Sequence, residues 1–233
     1  MGALKTLAIT GSAVLLLGAG AVVGDSLFRT AAEDHVAGQL QAELGLAQPP
    51  TVELGGVPFS AVLVTRKLPS ASASAVDVPL EISGVQVSLD RVSAEGTGLV
   101  LGNGQVVVSR ATGEAMLGYP ALTSLAGVPV EAGDEPGRVQ VSYTADLFGR
   151  ELVAVVSAVP ALEESGDRLD LTGPEISIAG IELGPDVADR IISLLVKPIK
   201  FELPYGLMPQ AISADSAGLT LELAADNLVV PLG

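Results

Sequence analysis

The sequence predicts an α+β fold: an amphipathic helix near the N-terminus, then a large antiparallel sheet with one buried face, interrupted by shorter helices. Three observations predict it. Phe28, Ala32, Val36, Leu40 and Leu44 recur at four-residue steps among charged and amide side chains. From Thr51 onward the period falls to two, as in Val85, Val87 and Leu89 against Gln86, Ser88 and Asp90. Gly-rich turns such as Gly102-Asn103-Gly104 separate the alternating runs at short spacing. A four-residue apolar step marks one face of a helix, and alternation marks a strand with one solvated face.

The first segment stands apart. Thr6 to Gly24 is 19 residues without a charge, which as a helix would span about 28 Å, near the thickness of a bilayer core. Lys5 precedes it, and Asp25, Glu33 and Asp34 follow, so the charge bias predicts export of the remainder. The expected organisation is therefore a membrane anchor or signal segment, 1–24, followed by one exported domain, 25–233. As an anchor it predicts a single-pass protein of the cell membrane. Cleavage at Ala19-Gly20-Ala21 would instead release the domain from the membrane.

Each later element has its own signal. Leu27 to Leu46 reads as the first helix, with Ser26 as cap, Gly45 near its end and Pro49-Pro50 beyond. Ser70 to Ala75 reads as a small-residue loop, and Val76 to Ile82 as an imperfect strand broken by Pro79. Val106 to Val108, Arg138 to Thr144, Leu152 to Val159, Leu169 to Leu183 and Leu219 to Leu223 read as strands. Tyr119 to Ala126 and Pro185 to Lys197 read as helices. The second has Pro185 at its first position, Asp186 and Asp189 at its positive end and Lys197 in its last turn. Glu131 to Gly137 is an acidic Gly/Pro loop.

Composition excludes several chemistries. Lys and Arg number 12 against 27 Asp and Glu, a formal charge of −15, and nucleic-acid binding needs the opposite sign. The chain has no Cys and one His, His35, which removes disulfides, thiolate sites, a His-rich metal centre and a Ser-His-Asp triad. No G-x-S-x-G elbow occurs. Glu163-Glu164, Asp167 and Asp170 are closely spaced carboxylates that read first as solvated turn charges and second as calcium ligands, without the twelve-residue calcium pattern, or an acid/base pair. No cofactor, metal ligand set or catalytic residue is predicted.

The candidate binding residues are apolar and basic. Val187, Ile191, Leu194 and Leu195 form the stripe of the Pro185–Lys197 helix, more apolar than a solvated surface allows. Phe59, Phe201 and Tyr205 sit in Pro/Gly-rich turns. Basic residues are few, so their pairing is informative: Arg66-Lys67, and Lys197 with Lys200, are the candidate contacts for a phosphate.

Two of these turns carry a likeness. Gly56-Val57-Pro58-Phe59 and Phe201-Glu202-Leu203-Pro204-Tyr205-Gly206-Leu207, in order between the amphipathic helix and the final Asn227-Leu228-Val229-Val230, resemble the LmeA-like phospholipid-binding proteins of the actinobacterial cell envelope. The resemblance implies a membrane-tethered, extracytoplasmic phospholipid-binding protein with no catalytic role. Its ligand would be phosphatidylinositol or its mannosides. It also implies an elongated, curved antiparallel sheet wrapped on two or three helices, similar to tubular lipid-binding proteins. Acyl chains would then meet Val187, Ile191, Leu194, Leu195, Phe59, Phe201 and Tyr205. The head group would meet Lys197, Lys200, Arg66 or Lys67. A phospholipid-binding module that holds or carries lipid, a structural or interaction protein of the envelope, and an enzyme of glycolipid maturation are the three functional expectations, in that order.

Overall fold

The amphipathic helix forms at the expected place. A computed structural model describes residues 25–56, 58–82, 84–102, 104–147, 150–163, 168–178, 181–182, 184, 199–200 and 207–231. Helix α1 spans Asp25–Leu44 and buries Val36, Ala37 and Leu40. Burying a Val or Leu side chain contributes about 1.5–3 kcal/mol, so this stripe rather than helix propensity fixes α1 in place. Gly45 ends it with φ of 65°, and the Leu46 N–H donates to the Gln41 carbonyl at 3.0 Å. That six-to-one bond is the Schellman stop, and it needs a residue at ease with positive φ. Strand β1, Thr51–Leu54, follows with strict alternation of burial. The short helix α2, Ala61–Thr65, closes with Arg66 in the left-handed region.

The long strands are β2, Lys67–Ile82, β3, Val85–Leu101, and β4, Gln105–Gly118. They join β1, β11 (Met208–Ala214) and β12 (Gly218–Pro231) in a six-stranded sheet of order β1-β2-β3-β4-β12-β11. Along β2 the buried side chains are Leu68, then Ala71, Ala73 and Ala75, then Val78 and Leu80. Along β3 they are Val87 and Leu89, then Val92 and Ala94, then Leu99. The buried set changes parity twice on each strand. Both changes coincide with positions missing from an otherwise constant register, Asp77 opposite Asp90 and Pro69 opposite Gly98. Each strand drops one ladder position at each place, so the two strands shift parity together. Asp77 and Gly98 have φ of 52° and 63°. Gly98 is required on a second count, because a Cβ there would lie 2.7 Å from Ser109 Oγ. Asn227, φ 54°, marks the same event in β12, where burial passes from Leu223 and Ala225 to Leu228 and Val230.

The chain divides into two compact units, Met1–Ala115 with Leu203–Met208 and Glu222–Gly233, and Met116–Glu202 with Pro209–Leu221. In the second unit, helix α3 spans Tyr119–Ala126 with a Pro in its first turn. The Tyr119 hydroxyl donates to the Asp215 carbonyl at 2.6 Å. Burial, and then the Asp215 charge, push its pKa up. A second sheet runs β10-β8-β7-β6-β5, with β9 also on β8. Its strands are β5 (Val130–Ala132), β6 (Val139–Leu147), β7 (Arg150–Leu162), β8 (Arg168–Ile178), β9 (Ile181–Glu182) and β10 (Ile199–Lys200).

Several expectations require correction. The α+β class stands, but there are two sheets rather than one elongated curved sheet, and neither path closes or curves into a tube. Alternation specifies that a segment is a strand and which of its side chains share a face. It does not specify the neighbour, so the switch of partners after β4 left no mark in the pattern. Ser70 to Ala75 is not a loop but the middle of β2, with Ala71, Ala73 and Ala75 buried. Among the described residues no helix is long and apolar enough to cross a membrane. The longest, α1, carries Asp25, Arg29, Glu33, Asp34 and Glu43. The transmembrane anchor and the single-pass membrane localisation are accordingly withdrawn. The segment on which they were placed, 1–24, lies outside the described residues.

Candidate functional site

The apolar residues of the second sheet fall on one face by register. Val139 pairs with Ala158, Val141 with Val156, and Tyr143 with Ala154. Val156 in turn pairs with Ile176, Ala154 with Ile178, and Ile178 with Ile181. The other face carries Gln140, Ser142, Ser157, Ser177 and Glu175 with Val153 and Val155. Burial along the apolar face is graded. Val139, Ala158 and Ile176 are buried, whereas Tyr143 is 58%, Ile178 36% and Ile181 70% exposed. The Tyr143–Ala154–Ile178–Ile181 row is thus an open apolar edge continuous with a buried one. Tyr143 adds an apolar ring with a polar tip, the type of side chain favoured where lipid meets water.

Arg138 secures this sheet from its first strand. The side chain is buried, its Nε donates to Ser157 Oγ at 2.8 Å, and Nη2 donates to the Gly173 carbonyl at 2.8 Å and the Ser157 carbonyl at 3.1 Å. Glu175 supplies the counter-charge at 3.3 Å. These bonds fall where the β7–β8 register shifts between Ser157 and Val159. The guanidinium satisfies carbonyls that the shifted ladder leaves over, and it was not among the residues singled out from sequence. A lone Arg before an alternating run gives no signal of this use.

In the first unit, three charged residues of α1 at successive turns hold the loop 54–60. Asp25 accepts the N–H groups of Phe59 and Ser60, both at 2.7 Å. Arg29 donates to the Gly56 carbonyl and lies over the Phe59 ring, 5.9 Å from its centroid. Glu33 accepts the Leu54 N–H at 2.8 Å. Two main-chain N–H groups, Ser60 first and Phe59 second, hold the Asp25 carboxyl below the usual carboxylate range. Phe59 itself is fully buried. The Gly56–Phe59 turn is therefore a structural clasp whose ring is core.

Beside the clasp is a cleft of about 590 Å³, lined by Arg29, Glu33, Glu53, Ser70, Ser72 and Glu95 among others. Glu53, Ser72 and Glu95 lie in one cross-strand row. Three carboxylates face one guanidinium already engaged by a carbonyl and a ring, an arrangement that disfavours a phosphate. Among the described residues no group of His, Asp or Glu is placed to hold a metal ion.

The other sequence-predicted residues distribute as follows. Arg66 and Lys67 are exposed at the end of α2 and the start of β2. Lys200 is in β10, its backbone opposite Arg168. Val187, Ile191, Leu194, Leu195, Lys197, Phe201 and Tyr205 lie outside the described residues. His35 is exposed on α1 and accepts from the Gln39 amide at 3.2 Å. Glu163 and Arg168 close a turn by a main-chain bond of 3.0 Å and a side-chain pair at 3.8 Å. Asp170 accepts the N–H of Leu171. Glu164 and Asp167 lie outside the described residues.

The sequence matches the family described as LmeA-like phospholipid-binding over residues 23–224. The chain belongs to this family. No curated protein and no solved structure matches it. The match takes in α1, the clasp, the second sheet and the first sheet as far as Ala224 in β12. The description of the family is a binding one, phospholipid-binding, and names no reaction.

Proposed function

We propose that this LmeA-like chain is a non-catalytic interaction protein whose partner is phospholipid, engaged at the open apolar row of the second sheet. The carrying observation is the graded face, in which Tyr143, Ile178 and Ile181 are exposed in line with buried Val139, Ala158 and Ile176. An acyl chain laid along that row gains about 0.8 kcal/mol for each methylene removed from water. The opposite face sets Gln140, Ser142, Ser157, Ser177 and Glu175 beside Val153 and Val155, and the cleft of the first unit is lined by acids. An interaction surface of this kind agrees better with the fold than an enclosed carrier tunnel, since neither sheet path closes.

Native mass spectrometry of the purified chain, followed by lipid extraction, tests the reading. A phospholipid bound in stoichiometric amount is expected, and its head group identifies the species, with phosphatidylinositol and its mannosides compared first. Ile181→Asp combined with Ile178→Asp is expected to remove that lipid while leaving the circular dichroism spectrum unchanged, because both side chains are at the exposed end of the row. An apo mass with no uptake from liposomes, or full lipid retention in the folded double variant, would refute it.

A further inference from the structure

We propose that one end of the first sheet, built from α2 and the Lys67/Val100 pair of β2 and β3, docks on an anionic phospholipid surface. Val64 is 87% exposed on α2, and Leu27 is 66% exposed on α1. Asp25, two residues before Leu27, bonds the N–H of Ser60 immediately ahead of α2, which brings the start of α1 to this same end. Lys67 is the cross-strand neighbour of exposed Val100, and the Arg66 carbonyl accepts the Leu101 N–H at 2.8 Å. Exposed apolar side chains and two cations thus share one end of the sheet.

Charge selects the partner. The chain carries 27 acids, yet no Asp or Glu occurs between Glu53 and Asp77 or between Glu95 and Glu114. The strand segments flanking Lys67 and Val100 fall within those two acid-free stretches. Asp25 reaches this end from α1 with both carboxylate oxygens bonded to main-chain N–H groups. A local basic, apolar end on a chain of net charge −15 is complementary to anionic head groups above acyl chains, and the rest of the surface is repelled. Each Lys or Arg beside an anionic leaflet strengthens association about fivefold. Aliphatic side chains such as Val64 and Leu27 enter the boundary between head groups and acyl chains. This docking end is in the first unit and does not depend on the apolar row of the second.

The absence of cysteine allows a site-specific test in the full chain. Val64→Cys, labelled with a polarity-sensitive fluorophore, is mixed with vesicles of equal parts phosphatidylcholine and phosphatidylglycerol, or of phosphatidylcholine alone. A blue shift and loss of quenching by an aqueous quencher are expected on the anionic vesicles only. Arg66→Glu with Lys67→Glu in the same labelled chain is expected to raise the lipid concentration at half-response at least about tenfold, and added salt to do likewise. The response is local, so it reports this end of the sheet rather than binding elsewhere on the chain. A label that stays in water on anionic vesicles, an equal response to neutral vesicles, or indifference to the charge reversal overturns the proposal. Ile181→Cys carrying the same label separates the two surfaces: a response there with none at Val64 overturns the docking end and leaves the phospholipid row standing.

Discussion

Asp25, at the start of α1, accepts the main-chain N–H of Phe59 at 2.7 Å across 34 positions of sequence. The bond ties the start of a helix to a Gly/Pro/aromatic turn far along the chain. The turn has main-chain groups that cannot pair within a sheet, and α1 supplies a carboxylate, a guanidinium and a second carboxylate to meet them.

The clasp is expected to be acid-sensitive. Asp25 is held below the usual carboxylate range by the N–H groups it accepts, so its contribution is complete above about pH 4. That contribution is lost as pH falls through the lowered value. Hydrogen exchange of the Phe59 and Ser60 amides, read at a series of pH values after correction for intrinsic rates, is expected to lose protection in acid. In Asp25→Asn the loss of protection with pH should disappear. Protection that is flat with pH in the parent chain would contradict this account.

Arg138 is expected to be structurally necessary to the second sheet. Its removal leaves the Ser157 and Gly173 carbonyls without their donor, and leaving buried acceptors unpaired costs about 1–3 kcal/mol. Arg138→Ala should lower stability by about that amount in urea unfolding followed at Tyr143. Arg138→Lys should recover little, because an ammonium does not reproduce the planar fork. Stability within about 0.5 kcal/mol of the parent, the range of an ordinary surface change, would show that the guanidinium is dispensable.

The exposed pair Arg110–Asp226, 3.3 Å apart, should behave oppositely. Both side chains are solvated, and such pairs contribute about 0–1 kcal/mol. A double-mutant cycle through Arg110→Ala and Asp226→Ala should give a coupling energy in that range that declines with salt. A coupling near that of a buried pair would show that water does not screen this end of β4 and β12.

The left-handed positions in the strands should distinguish residue types. Asp77 and Asn227 hold φ of 52° and 54°, a region costing other L-residues about 1–2 kcal/mol. Asn227→Gly should be neutral or slightly stabilising, whereas Asn227→Val should lose about 1–2 kcal/mol in thermal unfolding. Equal stability of the two variants would mean that the backbone relaxes out of the parity shift.

Much of the fold was legible where one segment carries its own signal. Four-residue spacing located α1 to within a turn, Tyr119–Ala126 was read as the helix that is α3, alternation found the start of β3, β6 and the start of β12, and a β-branched run found β7. β2 was misread because its buried side chains are alanines and change parity at Asp77 and Pro69, which looks like a small-residue loop followed by a fresh start. At the clasp, the turn at Phe59 was visible, but not that Asp25, Arg29 and Glu33 hold it. On α1 those residues read as an ordinary charged face. The apolar row was visible as strands, but not as a row.

By itself the sequence determined the local periods, the turns, the acidic charge with its two acid-free stretches, the lack of metal and thiol chemistry, and the family likeness. These properties are written within short windows or in composition. Tertiary structure alone decided that the strands form two sheets, that Phe59 is core, that Arg138 completes a shifted ladder, and that Tyr143, Ala154, Ile178 and Ile181 align. Those outcomes depend on which strands pair and in what register. A period of two fixes the face each side chain shares along its own strand and is silent about the strand beside it.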